Sequence, residues 1–210
     1  MPGNLTLTTE QLDEFDRRGV VRLAGLFSHD RVRRAREYVQ IRLASGGLWK
    51  NGAWSLSNVP RPQWPATGLR PSKAIGNKHP DVEALLEEPA LLAAVNILLD
   101  GADLEHTLCR RPQVLFEITQ LLRREAFLSE LYTEAPTDER ARLLGQTGSL
   151  GDVALQVMEL TGSPGDAYLM DLRVLHTAAP NAAAQPRIMA THRFVRRDVM
   201  QELTATFGWE

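Results

Sequence analysis

The chain has 210 residues, of which 43% are hydrophobic and 24% charged, and its formal net charge is -2. That length suggests one domain with room for a sizeable core, and the near-neutral balance gives no electrostatic reason to expect nucleic acid. A single cysteine, Cys109, excludes a disulfide within the chain and any metal site built from several cysteines. The sequence contains no run of about 18 apolar residues, and its opening MPGNLTLTTEQL has no basic stretch followed by an apolar run that would suggest a signal peptide. No membrane contact and a cytoplasmic location are therefore expected.

The first predicted element is a helix opening at Leu7-Thr8-Thr9-Glu10-Gln11-Leu12. Thr8 can cap it, Gln11 completes a capping box, and Leu7 with Leu12 can form a hydrophobic staple. Phe15 continues its apolar face and Gly19 is a natural stop. Val20 to Leu23 reads as a short strand. Ser28 can cap an Arg-rich helix that runs to about Ser45, before Gly46-Gly47. Residues 49 to 78 read as a long irregular stretch holding Trp49, Trp54 and Trp64 among Pro60, Pro62, Pro65 and Pro71. Tryptophans argue against disorder, and long loops in compact domains tend to be functional. Covering one end of a barrel is the expected job.

Pro80 to Glu87 and Pro89 to Leu99 read as two helices, each opened by a proline, with Gly101 ending the second. Arg111 to Phe116 reads as a strand. Ile118 to Tyr132 has helical spacing through Leu121, Leu122, Phe127 and Leu131, and a capped segment from Thr137 to Leu144 follows. The remainder reads as β: Val153 to Leu160, Ala167 to Met170, Val174 to Ala178 and Arg187 to Val195. Turns at Gly162-Ser-Pro-Gly165 and Pro180-Asn181 separate these strands.

The residues that point to chemistry cluster late in the chain. Gly165-Asp166 precedes an apolar run ending at His176, Pro180-Asn181 follows, and Arg187 comes eleven residues after the histidine. Period-2 alternation puts Arg187, Met189, Thr191 and Arg193 on one strand face and His192 on the other. This layout resembles the C-terminal end of the Fe(II)- and 2-oxoglutarate-dependent oxygenases, and most closely the phytanoyl-CoA dioxygenase family. The opening Phe15-x-x-x-Gly19-Val-Val-x-Leu23-x-Gly25-Leu-Phe27 is also similar to that family. Together the likeness covers most of residues 5–116 and 118–195.

The resemblance implies a double-stranded β-helix, or jelly-roll, core with flanking N-terminal helices: an α+β fold. It implies one domain over 1–210. Residues 1–101 would be its mainly helical part, and residues 108–197 a partial jelly-roll core with an inserted helical segment at 118–145. It implies Fe(II) and 2-oxoglutarate as cofactors and hydroxylation of a small organic substrate. By resemblance His176 is the last iron ligand, Arg187 holds the distal carboxylate of 2-oxoglutarate, and Thr191 adds a hydroxyl to that carboxylate. Lys73, or Lys78 beside it, corresponds to a family lysine that approaches the cosubstrate. An arginine fork suits a carboxylate bidentately, and an open facial triad of two histidines and one carboxylate suits this iron chemistry.

One part of the family pattern is absent. Relatives carry a His-x-Asp shortly after a strand like Arg111 to Phe116, whereas here Phe116-Glu117 runs straight into Ile118. Both flanks match, which implies an internal deletion of roughly 30–50 residues between about Glu117 and Ile118. It would remove two iron ligands and up to about three of eight jelly-roll strands, leaving an open sheet edge suited to a homodimer. His79-Pro80-Asp81 is literally a His-x-Asp, but it opens a predicted helix, where capping is the expected role. His29 and His106 lie in polar stretches with no motif. Two functions stay open: a dioxygenase, and an inactive relative or truncated form serving as a binding or structural protein.

Overall fold

In the computed structural model of the chain, the described residues are 7–45, 49–50, 53–54, 79–102, 104–106, 144–150, 152–176 and 188–207. The chain forms two compact units, one of residues Met1–Leu108 with Gly162–Glu210 and one of Cys109–Thr161.

The first unit opens with helix α1, Thr9–Arg18. Its N-terminus is closed as the sequence suggests. The Gln11 amide donates to Thr8 Oγ1 at 3.2 Å, and the Thr8 amide donates to Gln11 Oε1 at 3.0 Å. These reciprocal bonds satisfy backbone donors that a helix start leaves free. Gly19 ends α1 at φ 66, a left-handed conformation that favours glycine. Strand β1, Val20–Leu23, follows at once. Val20, Val21 and Leu23 are buried while Arg22 stays exposed.

Helix α2, His29–Ser45, is capped at Ser28, whose Oγ accepts from the Arg31 amide. Two short strands, β2 Trp49–Lys50 and β3 Ala53–Trp54, pair antiparallel. Helix α3, Pro80–Leu86, is capped by His79, and helix α4 spans Pro89–Leu98. Arg34 on α2 bonds Asp81 on α3 at 3.0 Å, and Tyr38 stacks on His79 with ring centroids 3.7 Å apart. Glu88, just before α4, pairs with Arg31. The chain leaves α4 through Asp100 and Gly101, both at positive φ.

Strand β4, Leu104–His106, pairs antiparallel with β8, Phe194–Arg196. Helix α5, Arg197–Phe207, follows β8 directly. The pairing that organises the unit joins β1 to β7, Ala167–Met170, with Val20 opposite Met170 and Leu23 opposite Ala167. Leu23 and Ala94 of α4 are buried together with Leu7, and Leu12, Leu26, Leu98, Ala167 and Leu169 pack against them. This apolar cluster gives the N-terminal helices and the β1–β7 pair a common core, because each has one apolar face to hide.

The second unit contains an antiparallel hairpin of β5, Thr147–Leu150, and β6, Val153–Gln156. The described residues are thus mixed helix and small antiparallel sheets, with four two-stranded pairs and no closed barrel among them. An α+β class describes them.

Several elements differ from the sequence expectation. Strand β6 ends at Gln156, and residues 157–160 carry no regular structure. Val174 to His176 is not a strand. The chain turns at Asp171–Val174, where the Val174 amide donates to the Asp171 carbonyl at 3.0 Å. Residues 188–193 are irregular, so the late strand starts at Phe194. Helix α5 lies beyond the last predicted element. The strand at Arg111 to Phe116, the helix at Ile118 to Tyr132, the Glu117–Ile118 junction and most of the tryptophan-rich stretch lie outside the described residues.

Candidate functional site

The segment leading to His176 is anchored at both ends. At its start, the turn Gly162–Gly165 delivers Asp166, whose side chain is only 6% exposed although Arg22 beside it is well exposed. Asp166 Oδ2 accepts from Arg22 Nη2 at 2.6 Å, Arg22 Nε at 3.2 Å and the Ser163 amide at 2.7 Å. Its Oδ1 accepts from the Gly25 amide at 2.8 Å. Hydrogen bonds from the Gly25 amide, Arg22 and the Ser163 amide hold this carboxyl below the ordinary aspartate range.

Gly165 completes the anchor. It is buried, its φ is 104, and a side-chain Cβ there would lie 2.6 Å from the Phe27 carbonyl oxygen. The Phe27 amide in turn donates to the Gly165 carbonyl at 2.9 Å. A glycine is needed both for the backbone conformation and for the close approach. The sequence layout singles out Gly165-Asp166, and the structure gives the pair this physical task.

At the far end of β7, the Asp171 amide donates to the Gly19 carbonyl at 2.8 Å. The Asp171 carboxylate then folds onto its own turn. It accepts from the Arg173 amide at 2.8 Å and is gripped by the Arg173 guanidinium at 2.5–3.0 Å. Those bonds keep the carboxyl below the usual range against the opposing effect of partial burial. Val174 closes the turn against Gly19, where an added Cβ would meet Val174 Cγ2 at 2.3 Å. A concavity of about 300 Å³ lies here, lined by Phe15, Asp16, Gly19, Asp171, Arg173 and Val174.

His176 follows this turn and is exposed. Its Nδ1 lies 2.9 Å from the Val174 carbonyl oxygen. A carbonyl only accepts, so Nδ1–H donates and the neutral ring keeps its lone pair on Nε2. A histidine held this way is prepared to offer Nε2 to a metal or a proton.

Of the other site residues suggested by the resemblance, Thr191 alone is described. Thr191 is exposed in the irregular segment before β8. Arg187, Lys73 and Lys78 lie outside the described residues. His79 is committed elsewhere: its Nδ1 accepts from the Asp81 amide at 3.3 Å as the cap of α3, and its ring stacks on Tyr38. His192 meets Phe194 edge-on at 5.1 Å. Among the described residues, no group of three His, Cys, Asp or Glu side chains is placed to hold a metal ion. Those residues therefore fit one coordination position, at His176, and not a facial set. No helix among them is long and apolar enough to cross a membrane.

Sequence reasoning missed Asp171, Arg173 and Arg22. The signal for the first two was local: an aspartate two residues before an arginine at the end of an apolar run favours a side-chain-capped turn. Arg22 carried no signal, because its partner lies 144 residues away. No family model matches the sequence, and comparison with curated proteins and with solved structures returned no match either.

Proposed function

We propose that this chain is built on the scaffold of the phytanoyl-CoA dioxygenase family of Fe(II)- and 2-oxoglutarate-dependent oxygenases, with a jelly-roll-derived core. The function this scaffold supports is hydroxylation of a small organic substrate coupled to decarboxylation of 2-oxoglutarate to succinate and carbon dioxide, with dioxygen as the oxidant that supplies one oxygen atom to each product. The observation that carries the reading is His176. It stands between Gly165-Asp166 and the Pro180-Asn181, Arg187 pattern, with Nδ1–H engaged by a carbonyl and the neutral ring's lone pair therefore on Nε2. Arg187, with Thr191 and Lys73, would supply the carboxylate anchor for 2-oxoglutarate.

A second reading is favoured by a specific observation. The run Phe116-Glu117-Ile118 passes from strand pattern to helix pattern with no His-x-Asp between them. On that reading the chain is an inactive relative, or a truncated form, that serves in binding or assembly. A sheet edge opened by missing strands would favour a homodimer, which sedimentation across a concentration series detects.

One assay separates the two. A facial iron site needs three protein ligands, so the second reading expects no iron-dependent succinate above background. Iron-dependent succinate that disappears in His176→Ala establishes the dioxygenase and requires two ligands outside the family's usual place. In that case Arg187→Ala weakens 2-oxoglutarate binding by roughly 2–5 kcal/mol, the cost of leaving a buried charge without its partner.

A further inference from the structure

The turn before His176 has more hydrogen bonding than a simple connection needs. Asp171 accepts the Arg173 amide and the Arg173 guanidinium together, its own amide is tied to the Gly19 carbonyl, and its carbonyl accepts the Val174 amide. These bonds hold the turn as far as the Val174 amide, and the carbonyl of that same residue sets the His176 tautomer. We infer that Asp171 is a positioning residue for His176: its carboxylate sets the turn that keeps Nδ1–H of His176 on the Val174 carbonyl and Nε2 free.

The inference rests on His176 being the reactive histidine, but it concerns the ring's state and not turnover. Asp171 never touches the imidazole. It accepts the Arg173 amide in a turn closed by the Val174 amide, and the carbonyl of Val174 accepts Nδ1–H. The ion pair with Arg173 is a separate matter, because the Arg173 side chain is 90% exposed and such pairs contribute little. An alanine at Arg173 keeps the backbone amide that Asp171 needs. An asparagine at Asp171 keeps an oxygen to accept that amide.

The test is nitrogen-15 NMR of the full chain labelled at its histidines, at alkaline pH where the imidazoles are neutral. The His176 signals are identified by their loss in His176→Gln. Wild type is expected in the Nδ1–H form, and an Nε2–H ring there overturns the inference without any variant. In Asp171→Ala, the ratio of Nδ1–H to Nε2–H is expected to fall about five- to tenfold, as one hydrogen bond is lost. Asp171→Asn and Arg173→Ala are expected to keep the wild-type ratio. An unchanged ratio in folded Asp171→Ala overturns the role of the carboxylate. Should Asp171→Ala not fold, loss of the ratio in folded Asp171→Asn overturns it instead. Failure of the chain to use 2-oxoglutarate leaves these spectra unaltered, so the two readings fail separately.

Discussion

Asp166 accepts four hydrogen bonds, three of them on one oxygen, and this sets its response to acid. Its folded-state carboxyl lies below the ordinary value of 3.8. The stabilisation is therefore present above that value and is lost as pH falls through the lower folded one. Asp166→Asn should lower the denaturant midpoint at neutral pH, and the difference from wild type should vanish in strong acid. Urea unfolding of both proteins along a pH series measures this. Gly165→Ala should cost about 1–3 kcal/mol, since the residue sits at positive φ and its Cβ would press on the Phe27 carbonyl. At this scale the sequence exposed Gly165-Asp166 and His176 through their spacing. Asp171 was missed although its cue, an arginine two residues on, is local.

Elements whose start and stop signals are local were readable from the chain alone. Helix α1 has Thr8, Gln11 and Gly19 at the positions that its ends demand, and α3 and α4 each open on a proline. Thr8→Ala should destabilise by about 1 kcal/mol through loss of the cap, seen as a lower melting temperature with the fold retained. Strands were harder. The run Val174 to Ala178 suggested a strand, yet Val174 closes a turn and Leu175 is 47% exposed. The aspartate before them caps a turn, and a side chain bonded to nearby amides competes with strand pairing. Helix α5 could have been found from Val199, Met200, Leu203 and Phe207, which recur at helical intervals after Asp198 in its first turn.

For the molecule as a whole, the decisive contact is non-local. Strand β1 follows α1 directly in sequence but, among the described residues, finds its strand partner far away in β7. A fragment of residues 1–161 would lack that partner. Amide exchange at Val21 and Leu23 should then lose the protection seen in the full chain, even if α1 keeps its capped N-terminus. Protection that survives in the fragment would mean that the helices alone hold β1. Leu23→Ala in the full chain should cost about 2–5 kcal/mol, the usual range for truncating a buried leucine, because Leu23 is 1% exposed within the shared core. The sequence disclosed the existence of both strands but not their register, since pairing over such a separation leaves no local trace.

The Arg22–Asp166 bond, spanning 144 residues, also places the chain on a clock. During synthesis at about 5–20 residues per second, β1 leaves the ribosome roughly seven to thirty seconds before its partner exists. Through that interval the apolar Val20, Val21 and Leu23 are without their β7 partner. Slowing translation between the two strands should therefore raise the fraction lost to aggregation, while speeding it should lower that fraction.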